Sequence, residues 1–335
     1  MMRLNLLICL SALTFGAQVK AQVDSASPPA PFVWPSPSFV WDPVHRSCEH
    51  MGNAFNTDTD ENAQKMLLDE VIELASHART MMKAFEEGTG DAFLMAQTKA
   101  SFNLLFDVQL PDATERWNQV KSALDQMISL RDQEHLYIMC DDAIMIEHRS
   151  DGLLQRRYPH DQSKTELIDT SVPAYCAAGL GGYRLGWKQY SLSAEWPVYV
   201  VICFGGAPPP ATTVRQVASS VASGSSLEDF QTWTVLMFHE FLHVRAPGMK
   251  EDGERGGERY GMPGALEVRS TYAPQNPDSV TLFALSLALD GWIWLDGKAM
   301  SREDYEAWQA SLAQGQQQEA EQAEEEDEIL KLRVM

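Results

Sequence analysis

The sequence predicts an α+β protein: helical in its N-terminal part, then a short β-sheet that leads into one central helix. Three observations carry this. Residues 60–133 read as three helices, the first with apolar residues at helical spacing. WPVYVVICF (196–204) is a continuous apolar run, the pattern of a buried strand. SSLEDFQTWTVLMFHEFLHVRA (225–246) reads as one strong helix. Helices followed by a sheet that feeds a helix is an α+β order.

The elements follow in chain order. Arg3, the apolar run Leu6 to Phe15 and the Val19-Lys20-Ala21 segment form the n, h and c regions of a secretory signal, so residues 1–21 are expected to be removed. Residues 22–45 are rich in Pro and Ser and read as an extended arm. A body at 46–312 follows. Its first helix is expected over 60–88, with apolar residues at 66, 67, 71, 74, 78, 81 and 82 and a stop at Gly88. Further helices are expected over 90–107 and 110–133, and a hairpin or strand over 134–148. GGAPPPATT (205–213) is a loop. The 225–246 helix is expected to open with a capping box, Ser225 with Glu228, and to close before Pro247. A last helix is expected over 278–296. The tail 313–335 is acidic and of low complexity, with five acidic residues in a row at 324–328, and is expected to be disordered.

Composition narrows the function. The chain has 335 residues, 44% of them apolar, enough for a sizeable core. A net charge of −21 argues against nucleic acid, which needs a basic surface. No segment after the signal has about 18 uninterrupted apolar residues, so no membrane span is expected. Cys9 leaves with the signal. Cys48, Cys140, Cys176 and Cys203 remain, an even number in a secreted chain, which suggests two disulfides. Their spacings of 92, 36 and 27 lack the close pairs of a four-cysteine zinc site.

VLMFHEFLHV (235–244) carries the chemistry. On a helix, positions i and i+4 share a face, so His239 and His243 can hold one Zn2+ ion. Glu240 stands one step round, placed to act as general base on a zinc-activated water. The bland alternative is a buried helix whose two histidines are satisfied by hydrogen bonds. A catalytic zinc needs a third protein ligand. No histidine follows His243; the other six all lie upstream. A downstream ligand is therefore a carboxylate, and the candidates are Glu251, Asp252, Glu254, Glu258, Glu267 and Asp278.

Three pieces together resemble the deuterolysin-like metallopeptidases, or aspzincins, which include the fungal lysine-specific metalloendopeptidases. They are HEFLH, the pair Tyr260-Gly261, and NPDSVTLFAL (276–285). The upstream VYVVICF is similar to the strand that precedes the helix in that family. The resemblance implies a zincin-like fold and a secreted zinc endopeptidase acting on protein or peptide substrates, read here as a monomer. It implies that Tyr260 stabilises the oxyanion, and that Cys48 pairs with Cys140 and Cys176 with Cys203. The family's third ligand is an Asp in a Gly-Thr-x-Asp-x-x-Tyr-Gly motif. Here Gly257 stands three residues before Tyr260. GMKED (248–252) resembles the first part of the motif, with GERGGER (253–259) inserted after it, so Asp252 is the expected third ligand and Glu258 the alternative. Asn276 and Asp278 are expected either to orient a ligating histidine or to cap the helix that follows. The departure at Gly257 leaves a second function open: a zinc-binding secreted relative without catalysis.

Overall fold

Thr59 starts the first helix: its hydroxyl accepts the Asn62 N–H at 3.1 Å, and the chain then runs helical from Asp60 to Glu87 (α1). Gly88 ends it with a left-handed φ of 65°, a conformation glycine adopts without a Cβ clash. This computed structural model describes residues 57–107, 112–132, 136–141, 145–158, 161–168, 182–185, 198–203, 213–246, 248–250 and 257–334, with 39–41, 47, 48, 51, 55 and 176. The expected signal at 1–21, most of the 22–45 arm and most of the 205–213 loop lie outside them. Residues Ser36–Met335 form one compact unit.

Two more helices follow, as expected. α2 (Ala92–Phe106) is capped by Asp91, whose carboxylate accepts the Leu94 N–H at 2.8 Å. α3 (Ala113–Ile128) tightens into a 3-10 turn at Ser129–Asp132. The main sheet has the order β1-β2-β7-β6. Its strands are β1 (Phe39–Trp41), β2 (Leu136–Met139), β6 (Gly182–Leu185) and β7 (Val198–Ile202). β1, β2 and β7 run parallel, and β6 lies antiparallel on the edge. β7 is covered on both faces, which explains its unbroken apolar sequence. Val200 and Ile202 face the helices, while Tyr199, Val201 and Cys203 pack with Met139, Met145 and Cys176 behind. β3 (Ile146–His148), β4 (Leu154–Tyr158) and β5 (Asp161–Ile168) form a separate antiparallel sheet. Cys48–Cys140 and Cys176–Cys203 are the two disulfides, with Cα atoms 4.9 and 5.0 Å apart.

The second half departs from expectation in three places. The single helix expected over 225–246 is two elements: a 3-10 turn, Leu227–Phe230, and α5 (Trp233–Arg245), after the short α4 (Val214–Ala218). Gln231 and Thr232 are extended between them, and Thr232 caps α5 by accepting the Val235 N–H at 3.2 Å. The helix expected over 278–296 stops early, as α7 (Pro277–Ala288), after α6 (Gly261–Val268). A hairpin follows, β8 (Trp292–Leu295) and β9 (Lys298–Ser301), turning on Asp296-Gly297 with φ of 51° and 74°. Asp-Gly with both φ positive is the preferred two-residue hairpin turn. Lastly, the chain is helical from Arg302 to Val334 (α8), across the tail expected to be disordered. Ala, Gln and Glu dominate that stretch and all favour helix.

α5 and α7 are buried almost all round. They cross in the main core against α1 and α2, where Phe283 meets Phe102 and Phe106 edge-on at 6.0 and 5.6 Å. A helix buried on every face has little freedom to move. Side chains carried on these two helices are therefore held in fixed places. Among the described residues, no helix is long and apolar enough to cross a membrane.

Candidate metal centre

α5 presents His239 and His243 one turn apart, their ring centroids 5.2 Å from each other. The segment 257–260 brings Glu258 to them from the other side. Glu258 Oε1 lies 2.7 Å from His239 Nε2, and Oε2 lies 3.3 Å from His243 Nε2. The three side chains are 7, 8 and 2% exposed. One ligand atom from each falls within 4.8 Å of the other two, so the group could hold a metal ion.

The donor chemistry fits a divalent cation. Glu258 Oε1 is buried and has no hydrogen-bond partner, although it stands 2.7 Å from His239 Nε2. A buried carboxylate oxygen without a hydrogen bond, beside two imidazole nitrogens, is what a cation between them would satisfy. Two imidazoles and one carboxylate are a recurrent zinc set, with a further position left open.

Asp278, in the first turn of α7, orients His239. Its Oδ1 stands 2.5 Å from His239 Nδ1, and its Oδ2 accepts the Gly261 N–H. A carboxylate only accepts, so Nδ1 carries a ring proton, and in the neutral ring Nε2 keeps its lone pair toward Glu258. Burial would lower the His239 pKa, but the charge and hydrogen bond of Asp278, helped by the adjacent Glu258 carboxylate, outweigh it and hold it well above the usual range. Burial would likewise raise the Glu258 carboxyl; the facing imidazoles reverse this and bring it to about 2. Glu240 is pushed up by burial, with both imidazoles pulling the other way.

Glu240 is 5% exposed and backs onto β6. A Cβ at Gly182 would lie 3.2 Å from Glu240 Cγ and 3.1 Å from Val201 O, so a side chain there would press on Glu240 and the neighbouring strand. The sequence reading missed that residue; a glycine within a strand was its only signal.

Asn276 clamps the segment that carries Glu258. Its Oδ1 accepts the Arg259 N–H at 2.9 Å, and its Nδ2 donates to Arg259 O at 3.0 Å. It is wholly buried and makes no capping bond to α7. Its side-chain bonds serve neither expected role, since they reach no histidine and cap no helix amide; they hold the segment that carries Glu258. Tyr260 follows, stacked on the His239 ring at 5.9 Å, with its hydroxyl donating to Glu258 Oε2 at 2.9 Å.

Asp252, the expected third ligand, lies outside the described residues, as do Glu251 and Glu254. Glu258, the alternative, is the carboxylate gathered with both histidines. Glu267 points away toward Arg259, its side chain 64% exposed. Asp278 sits behind His239 and is not in the ligand group. Neither the protein-family models nor the curated proteins include a match to this chain.

Proposed function

We propose that this chain is a secreted zinc endopeptidase of zincin-like architecture, cutting protein or peptide substrates. The observation that carries this is the buried group of His239, His243 and Glu258 on and opposite one helix, with Glu240 between the two histidines in sequence. The HEFLH helix and the 276–285 segment support kinship with the aspzincins. A glutamate as third ligand would set this chain apart from them. The two disulfides are in keeping with an oxidising compartment.

Zinc bound there would supply Lewis acidity to a peptide carbonyl and bring a water's pKa to about 7. The residues have separable tasks. Glu240 takes the proton from the attacking water and passes it to the leaving amine. Tyr260, 55% exposed, can turn its hydroxyl from Glu258 toward an oxyanion. Asp278 fixes the tautomer of His239.

The test is metal content together with casein digestion. The purified chain is expected to carry one zinc per molecule and to cleave casein; Glu240→Ala keeps the zinc and loses cleavage. A chain without zinc, or a Glu240→Ala variant that cleaves as well as the parent, would end this reading. Zinc without cleavage in the parent would favour the non-catalytic relative.

A further inference from the structure

We propose that Glu228 is a positioning residue: by accepting the Met262 N–H it fixes the backbone that aims Tyr260 at the metal ligands. Its catalytic meaning rests on the endopeptidase reading above.

The spacing assigned Glu228 to a capping box with Ser225. The box forms one residue later, between Ser226 and Asp229, with the Ser226 N–H on Asp229 Oδ2 at 3.0 Å. Glu228 is thereby free to point elsewhere. Its Oε1 accepts the Met262 N–H at 3.1 Å, across 34 residues of chain.

The first amides of a helix have no acceptor within it. At α6 the N-cap is Tyr260, whose side chain makes no capping bond. Two carboxylates from elsewhere take the role: Asp278 bonds the Gly261 N–H and Glu228 the Met262 N–H. Asp278 also touches His239, so its effects mix. Glu228 reaches the site through backbone alone. Gly261 marks the same fit: its φ is 67°, and a Cβ there would overlap the Glu228 carboxylate.

Glu228 is itself well anchored. The Leu227 N–H bonds Gly297 O at 3.0 Å, and Ser226 pairs with Lys298. A Cβ at Gly297 would come within 3.0 Å of Met262 Cε, so the hairpin turn also abuts the residue whose amide Glu228 holds. Tyr260 is more than half exposed, and its ring meets the site itself, stacking on His239 and bonding Glu258. The 261–262 backbone sets where its Cα stands, and so whether those contacts form.

The experiment compares the zinc-loaded parent with Glu228→Ala and Glu228→Gln. Glutamine keeps an accepting oxygen and alanine does not. Deuterium exchange over 257–264 is expected to quicken about tenfold in Glu228→Ala, as for the loss of one hydrogen bond, and to stay near the parent in Glu228→Gln. Zinc content stays unchanged in both. With peptide substrate, kcat falls about tenfold in Glu228→Ala at nearly constant KM, the split expected when a transition-state contact is lost. In a Tyr260→Phe background the same substitution has no further effect. Should Glu228→Ala not fold, Glu228→Met removes the acceptor and keeps the bulk. Exchange over 257–264 equal to the parent in a folded acceptor-less variant overturns the proposal, as does a Gln variant that behaves like Ala. A parent that cleaves nothing would sink the endopeptidase reading, while the exchange arm still decides whether Glu228 holds this backbone.

Discussion

His239 and Asp278 stand 39 residues apart in sequence, and their facing Nδ1 and Oδ1 atoms are 2.5 Å apart. The contact fixes which ring nitrogen is left for a metal. Asp278→Asn keeps the size and loses the charge. It is expected to weaken zinc binding about 10–100-fold, the usual cost of losing a partner behind a ligating histidine. Chelator competition measures it; unchanged affinity would detach Asp278 from the site.

Glu258 and Asp252 make opposite predictions. Glu258→Ala should lose stoichiometric zinc, and Asp252→Ala should retain it, read by metal analysis after dialysis. Chelation should also lower the Tm of the parent. A ligand at 100 times its Kd contributes about 2.7 kcal/mol to the native state. The Tm of Glu258→Ala should be indifferent to chelator. Zinc retention by Glu258→Ala with loss in Asp252→Ala would restore the ligand the family resemblance implies.

His77 gives a pH dependence away from the metal. On α1, its Nε2 stands 3.3 Å from Asp290 and 3.0 Å from Leu287 O, at the end of α7. The hydrogen bond and charge of Asp290, with Leu287 O, raise its pKa against burial. A pKa raised in the folded state means a stabilising contact that is complete below the unfolded value of about 6.5. It is lost as pH rises through the folded value. The Tm gap between the parent and His77→Ala should be larger at about pH 5.5 than at about pH 8.5. The gap should be small, because the two side chains are 38 and 68% exposed and solvent screens them. A gap that widens with pH would refute the assignment.

Arg116 ties α3 to the chain beyond α6. Only 3% exposed, it donates to Phe106 O at 3.1 Å, Thr271 O at 3.0 Å and Arg269 O, and to Asp112 at 3.0 Å. Arg116→Ala leaves several acceptors without a donor. Each such group costs about 1–3 kcal/mol, so a loss of roughly 3 kcal/mol or more is expected in urea unfolding. A loss below about 1 kcal/mol would mean that water replaces the guanidinium freely.

Local signals were legible in the sequence and distant geometry was not. α1 could be placed because its apolar spacing, its N-terminal acids and Gly88 all agree. The two histidines could be paired because helical period alone sets them on one face. The break at Gln231-Thr232 was hidden by apolar neighbours that suit a helix or a turn. Asp296-Gly297 did announce a hairpin, but the apolar run on either side favoured reading a longer helix. The choice between Asp252 and Glu258 depends on how a loop returns to α5. Spacing carries no information about that, and the Asn276 clamp on the Glu258 segment comes from 17 residues downstream. Glu228 was misassigned for a related reason: Ser225 and Ser226 offer the same capping pattern one residue apart.

The Asn276 clamp has a further consequence. By engaging both backbone groups of Arg259, its amide behaves as a one-residue strand neighbour. Side chains along an extended chain alternate in direction, so Glu258 and Tyr260 face the histidines together while Arg259 turns outward to Glu267. A slip of one residue at this point would exchange the two sides. The carboxylate and the phenol would leave together, and a guanidinium would enter in their place. The length of chain between Glu258 and Asn276 is thus a fixed measure, on which the chemical identity of the centre depends.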